Sequence, residues 1–294
     1  MKTVKVYKSN KIGQEIRRTY DILLKQWDMA VEEKDIVSKY GKTHVIIGGD
    51  IKNPPLVLFH GVGDDAALMW IYNAKLLCEN YRIYAVDTIG GPGKSEPGLG
   101  YDKDFDDCLW IDSVLDSLGI DKAYFAGVSH GGYLVQAYSV GRSERVLKGI
   151  SISGAPAVGA NGNPMKTMLK IFLPEAILPT RKNVRKLIEK LCGSNSAVFT
   201  ENDAIMEHYT YLLKGFSPMG MKYHNVEGFS DKELDVIRDK VVFLVGTEDP
   251  FEKLGGAEAI RKYKMTVTFY EDAGHGLNHE KADEINSKIK EILK

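Results

Sequence analysis

Ala123-Tyr124-Phe125-Ala126-Gly127-Val128-Ser129-His130-Gly131-Gly132 runs from an apolar segment straight into small residues gathered around one serine. Its first residues form a short apolar run with no polar alternation, the pattern of a strand covered on both faces of a parallel sheet. A helical stretch follows, so Gly127-Val128-Ser129-His130-Gly131 is a G-x-S-x-G turn between strand and helix. Such a turn holds its serine at strained φ/ψ, and its neighbours must be small because bulky side chains would clash. The strain lifts Oγ above the sheet edge and aims the amide of the next residue, His130, into the same space.

Working outward, similar runs recur at Leu56-Val57-Leu58-Phe59, Arg82-Ile83-Tyr84-Ala85-Val86, Leu147 to Ser153, Val241-Val242-Phe243-Leu244-Val245 and Thr266 to Tyr270. Helical spacing separates them at Ala67 to Cys78, Phe105 to Leu118 and Lys281 to Leu293. The alternation predicts an α/β fold with a mostly parallel central sheet flanked by helices. Ahead of it, Lys11 to Trp27 carries an amphipathic helical pattern, read as an accessory element. A strand pair follows at Ala30 to Lys39 and Thr43 to Ile47, turned by Tyr40-Gly41-Lys42. Between Ala157 and Arg238 the strand rhythm stops, and helices are expected at Arg181 to Cys192 and Asn202 to Lys214, with Pro164, Pro174, Pro179 and Pro218 as breaks. This predicts a core of 1–156 and 239–294, with 1–28 as the accessory helix, and a helical cap of 157–238 over the carboxyl edge of the sheet.

Composition narrows the function. The 294 residues carry 39 basic against 40 acidic side chains, a net charge of -1, so nothing favours nucleic acid or an anionic membrane as partner. Cys78, Cys108 and Cys192 are an odd, widely spaced set, which argues against a disulfide framework or a zinc site. The stretch Met1-Lys2-Thr3-Val4-Lys5-Val6 opens no signal-peptide-like apolar run, and the expected location is cytoplasmic.

A serine hydroxyl needs a base, and the base needs a third group to fix its tautomer. Asp249 lies in Gly246-Thr247-Glu248-Asp249-Pro250, just past an apolar strand, and His275 in Ala273-Gly274-His275-Gly276, just past the last one. Asp249 is taken as the acid, with Glu248 the neighbour that could displace it; His279 is the rival base. Phe59-His60-Gly61-Val62-Gly63 follows the first apolar run, and the backbone N–H groups of Val62 and His130 are expected to form an oxyanion hole. His60 is expected to pack beneath that loop. Gly90-Gly91-Pro92-Gly93-Lys94-Ser95 looks like a phosphate-binding loop but has Thr88 where that motif needs glycine, so it reads as a tight loop beside the site mouth.

With these motifs in place, the chain resembles the α/β-hydrolase superfamily over roughly residues 45 to 294, including its order of nucleophile, acid and histidine. The loop from Asp87 to Ser95, the segment His60-Gly61-Val62-Gly63 and the N-terminal helix and strands look like bacterial carboxylesterases of the naproxen-esterase type. The resemblance implies a serine hydrolase of the carboxylesterase kind, acting through an acyl-enzyme, with Ser129, Asp249 and His275 as triad and no cofactor or metal. It also implies a helical cap shaping the acyl pocket for a small to medium apolar or aryl ester, and Met165, Met168, Phe172, Met219 and Met221 are the expected lining. Dehalogenases and epoxide hydrolases of this superfamily need a carboxylate where Ser129 stands. A ligand-sensing protein or a carbon–carbon bond hydrolase with the same triad stays open, as does the choice between monomer and homodimer.

Overall fold

The structure, a computed structural model, describes residues 3–159 and 164–294. Helix α1 (Asn10–Lys25) is capped by Ser9 and buries Ile16, Tyr20, Leu23 and Leu24 along one stripe, as its spacing requires. A hairpin follows, β1 (Val31–Ser38) and β2 (Gly41–Gly48), closed at Gly41 with φ 126°. Then come β3 (Pro55–Phe59), the short helices α2 (Ala66–Met69) and α3 (Ala74–Leu77), and β4 (Arg82–Val86). The spacing predicts one helix from 67 to 78. The structure breaks it, because the buried side chain of Asn73 donates to Asn278 O and Asn286 Oδ1 at 3.0 and 2.9 Å and pins a turn there.

The two-residue β5 (Glu96–Pro97) pairs with β2, and α4 (Asp107–Leu118) leads into β6 (Ala123–Val128). Helix α5 (His130–Gly141) follows the serine and β7 (Val146–Ile152) comes next. Beyond the insertion, β8 (Val241–Gly246) and β9 (Thr266–Tyr270) complete a nine-stranded sheet of order β1-β2-β4-β3-β6-β7-β8-β9. From β4 through β3 to β9 every neighbouring pair is parallel, so the carboxyl ends of β3, β6, β8 and β9 share one edge.

Alternate residues of each strand enter opposite layers, which is why the runs are apolar without a break. Leu56, Leu58, Ala126, Val128 and Leu244 join a cluster with α1, α2 and α3 on one face; Val57, Phe59, Phe125, Phe243 and Val245 join Trp110, Leu134 and Ile237 on the other.

Between β7 and β8 lie α6 (Pro164–Ile177), α7 (Arg181–Leu191), α8 (Ala197–Thr200), α9 (Asp203–Gly215) and α10 (Asp231–Lys240). Helix α6 was not anticipated: Pro164 stands at its first position, where a helix accepts proline, and Pro179 lies just past its end, while residue 174, read as a break, is carried inside the helix. Helix α10, started by a Ser230/Glu233 capping box, packs on α5 and β7 and sends Leu234 and Ile237 into the core beside Val241. The core therefore resumes at about residue 231, some residues before the expected boundary. Helix α1 packs on α9 and α2, and the backbone of Val6 and Lys8 bonds Ser217 and Gly215, so the N-terminal segment braces the insertion. Among the described residues no helix is long and apolar enough to cross a membrane. Helix α11 (Gly256–Lys262) lies between β8 and β9, and α12 (Leu277–Glu280) and α13 (Ala282–Ile292) follow β9.

Candidate active site

Ser129 stands between β6 and α5 with φ 56° and ψ -116°, a conformation that side-chain-bearing residues avoid. Two glycines make room for it. A Cβ on Gly127 would lie 2.1 Å from Gly131 O, and one on Gly131 would lie 2.5 Å from Phe59 O. The turn is held from below, where Ser129 N donates to Ile152 O at 2.8 Å. His130 opens α5, so its N–H is one of those a helix cannot satisfy internally.

The loop after β3 lies against the serine: a Cβ on Gly61 would come within 3.4 Å of Ser129 Cβ. Beneath it, the fully buried His60 donates from Nδ1 to Gly61 O and accepts at Nε2 from Thr88 N, both at 2.8 Å. It thereby ties this loop to the loop of Asp87, whose carboxylate in turn accepts from Ala66 N and Lys94 N. Val62 itself is half exposed.

Loops after β8 and β9 bring the acid and the imidazole together. His275 Nδ1 and Asp249 Oδ2 are 2.7 Å apart, and Asp249 Oδ1 accepts from Phe251 N, leaving that carboxylate doubly engaged and buried. A carboxylate acceptor at Nδ1 leaves Nε2 without the proton, the tautomer a base needs. Burial works against a charged ring, but Asp249, by charge and by hydrogen bond, outweighs it and holds His275 above the usual imidazole value, with Asp64 and Glu280 adding to the effect. Glu248 points to solvent. His279 is buried, donates to Leu68 O and is pushed down to about 4 by burial, which suits a packing role.

The expected lining divides. Phe172 lies 6.4 Å, ring to ring, from Phe251, and Phe251 lies 4.6 Å from the His275 ring. Met221 is buried in a small cluster with Val6 and Phe216, whereas Met219 is exposed. Met165 and Met168 fall within α6, and their side chains lie outside what is described. Phe216 reaches Gly63 of the Val62 loop, within 3.8 Å of where a Cβ would stand there.

Two acidic residues escaped the sequence reading. Asp64, next to that loop, accepts from Asp65 N at 2.9 Å and from Tyr209 of α9 at 3.3 Å; burial, with the charge of Asp65 beside it, pushes Asp64 up to about 7. Glu280, at the end of α12, accepts backbone N–H groups from two directions. The doublet Asp64-Asp65 after a glycine loop was the only local signal for the first; no local pattern marks the second.

A serine on a strained strand-to-helix turn, with an imidazole–carboxylate pair on later loops of the same sheet edge, defines a class of proteins. The chain belongs to the alpha/beta hydrolase fold family, whose model matches residues 54–282. It is 35% identical to carboxylesterase YbfK of Bacillus subtilis over 96% of this chain and 94% of that protein. It is 28% identical to an uncharacterized carboxylesterase, nap, of the same organism, over 92% and 90%. The crystal structure of naproxen esterase from Bacillus subtilis superposes with a TM-score of 0.81, covering 98% of this chain and 100% of that one at 23% identity. That of carboxylesterase CesB (YbfK) superposes at 0.79, with 96% and 98% covered and 24% identity.

Proposed function

We propose that the chain is a serine carboxylester hydrolase that works through an acyl-enzyme on small to medium apolar or aryl esters. Ser129 Oγ attacks the ester carbonyl as His275 Nε2 takes its proton, and Asp249 holds the ring and balances its charge. The N–H groups of Val62 and His130 receive the oxyanion, worth about 3 kcal/mol per donor in such sites. His275 then protonates the departing alcohol, and a water activated by the same nitrogen releases the acid. The acyl group rests between the insertion and the β8 loop, where Phe172 and Phe216 of the insertion and Phe251 of that loop offer flat apolar surface.

The observation that carries this reading is the 2.7 Å contact between Asp249 and His275 Nδ1, on the same sheet edge as a serine at positive φ. The likeness to carboxylesterases along nearly the whole chain supports the ester class. A fluorophosphonate probe should label Ser129, and Ser129→Ala should lower kcat/KM for p-nitrophenyl esters by about 10⁴. Retained turnover in clean Ser129→Ala protein overturns the assignment. Asp249→Asn should also be severe while Glu248→Gln stays near the parent value; the reverse order moves the acid to Glu248.

A further inference from the structure

The C-terminal end of α7, in the insertion, lies directly on the loop that carries His275. His275 N donates to Leu191 O at 2.6 Å, and Ser194 N and Oγ both reach Asp272 O at 3.1 Å. The backbones touch so closely that a Cβ on Gly274 would lie 2.3 Å from Leu191 O, and one on Gly193 would lie 2.6 Å from Asp272 O. Glu280 sits between the two chains. Its Oε1 accepts from Gly274 N at 2.9 Å and its Oε2 from Gly193 N at 2.7 Å, while its backbone oxygen accepts from Asn195 Nδ2 at 3.1 Å. The side chain is buried, so these bonds are not shared with bulk water.

We propose that Glu280 is a positioning residue for the hydrolytic site, its carboxylate clamping the backbone ahead of His275 to residues 191–195 so that the imidazole keeps its register with Asp249 only while the insertion is docked. This rests on the reading of His275 as the base. One carboxylate oxygen serves each chain, so the clamp needs two acceptors at fixed separation. An amide supplies one acceptor and meets the second N–H with a donor. A shortened side chain keeps both acceptors but cannot span the gap. Segment 191–195 thus differs from the rest of the insertion: loosening it costs turnover rather than substrate affinity, because a base displaced by about 1 Å can lose on the order of 100-fold in rate.

Charge supplies a second readout. The groups facing His275 are Asp249 from the β8 loop, Asp64 from the β3 loop and Glu280 from α12, all of which favour the protonated ring; Glu248 is the charged neighbour of Glu280. Removing the Glu280 charge makes imidazolium less favourable, so the acid limb of kcat/KM moves to lower pH.

The test compares Glu280→Gln, Glu280→Asp and Asn195→Ala with the parent, using p-nitrophenyl butyrate and active-site labelling. Glu280→Gln should lower kcat about 10-fold or more with KM within about twofold, and shift the acid limb down. Glu280→Asp should lower kcat with the limb in place, separating clamp from charge. Asn195→Ala, which removes the insertion's bond to Glu280 O but leaves the carboxylate in place, carries the test should Glu280→Gln not fold, and should lower kcat more than it changes KM. A lower Tm with kcat, KM and acid limb all at parent values, or a change in KM alone, overturns the proposal. A parent protein that labels no serine and turns over no ester brings down the hydrolase reading instead, and is told apart by the parent control alone.

Discussion

Asp64 and His275 set the pH behaviour at the scale of single residues. In the proposed mechanism His275 acts as a base only when neutral, and its neighbours hold it above the usual imidazole value, so kcat/KM should fall as pH drops through a midpoint above that value. Asp64 works on stability in the opposite sense from an ordinary paired aspartate. Its folded value of about 7 exceeds the unfolded value of 3.8, so the folded protein holds the extra proton between them. The stability this contributes is full below pH 4 and is lost as pH rises through 7. Asp64→Asn keeps an oxygen for Asp65 N and supplies an amide for Tyr209, so its gain in Tm over the parent should be larger at pH 8 than at pH 5. Thermal melts in matched buffers check this; an equal gain at both pH values means that Asp64 does not titrate in the folded protein. His275 was named as the base from its place after the last strand, but the Asp64 role was not legible beforehand, since an acidic doublet after a glycine loop is ordinary surface usage until burial is known. The acid was taken as Asp249 with Glu248 as its adjacent rival, and it is the direction of each side chain that separates them, Asp249 toward His275 and Glu248 to solvent.

At the scale of elements, the elbow is where local sequence and geometry agree most closely. Gly127, Ser129 and Gly131 read as a strained strand-to-helix turn, and the backbone approaches at both glycines explain their size. Gly131→Ala forces a Cβ toward Phe59 O, and either β3 or the start of α5 must shift. The expected cost is on the order of 3 kcal/mol, together with loss of probe labelling at Ser129. A variant with parent Tm and labelling rate would mean the turn has slack that the contacts do not suggest. The central strands were legible almost to the residue because a run buried on both faces carries an unbroken apolar signal, while the two-residue β5 gave none. Helices were less so: α6 was hidden by prolines, one at its first position and one that it carries inside it, and the helix expected from 67 to 78 was divided by an asparagine whose partners lie in α12 and α13.

At the scale of the whole molecule, the N-terminal segment, the insertion and the Val62 loop are joined through one buried histidine. His208 of α9 bonds Thr19 of α1 at Nδ1, 2.6 Å, and Asp65 at Nε2, 2.7 Å, and Asp65 caps α2 immediately after the Val62 loop. Thr19→Val leaves a fully buried ring nitrogen without its partner, which costs about 1 to 3 kcal/mol. We expect a lower Tm and slower fluorophosphonate labelling of Ser129; a lower Tm with unchanged labelling would make α1 a brace for α9 alone. From the sequence by itself came the parallel sheet, the strained serine and the order of serine, acid and histidine along the chain. Each is written in a short window, as an apolar period or as small residues around a turn. The tertiary structure alone decided that the Asp249 carboxylate meets His275, that burial raises Asp64 above the usual carboxylate range, and that Glu280 joins the insertion to the histidine loop. Those depend on distances and burial among residues far apart in the chain, and no local pattern of side chains encodes a distance between segments that meet only on folding.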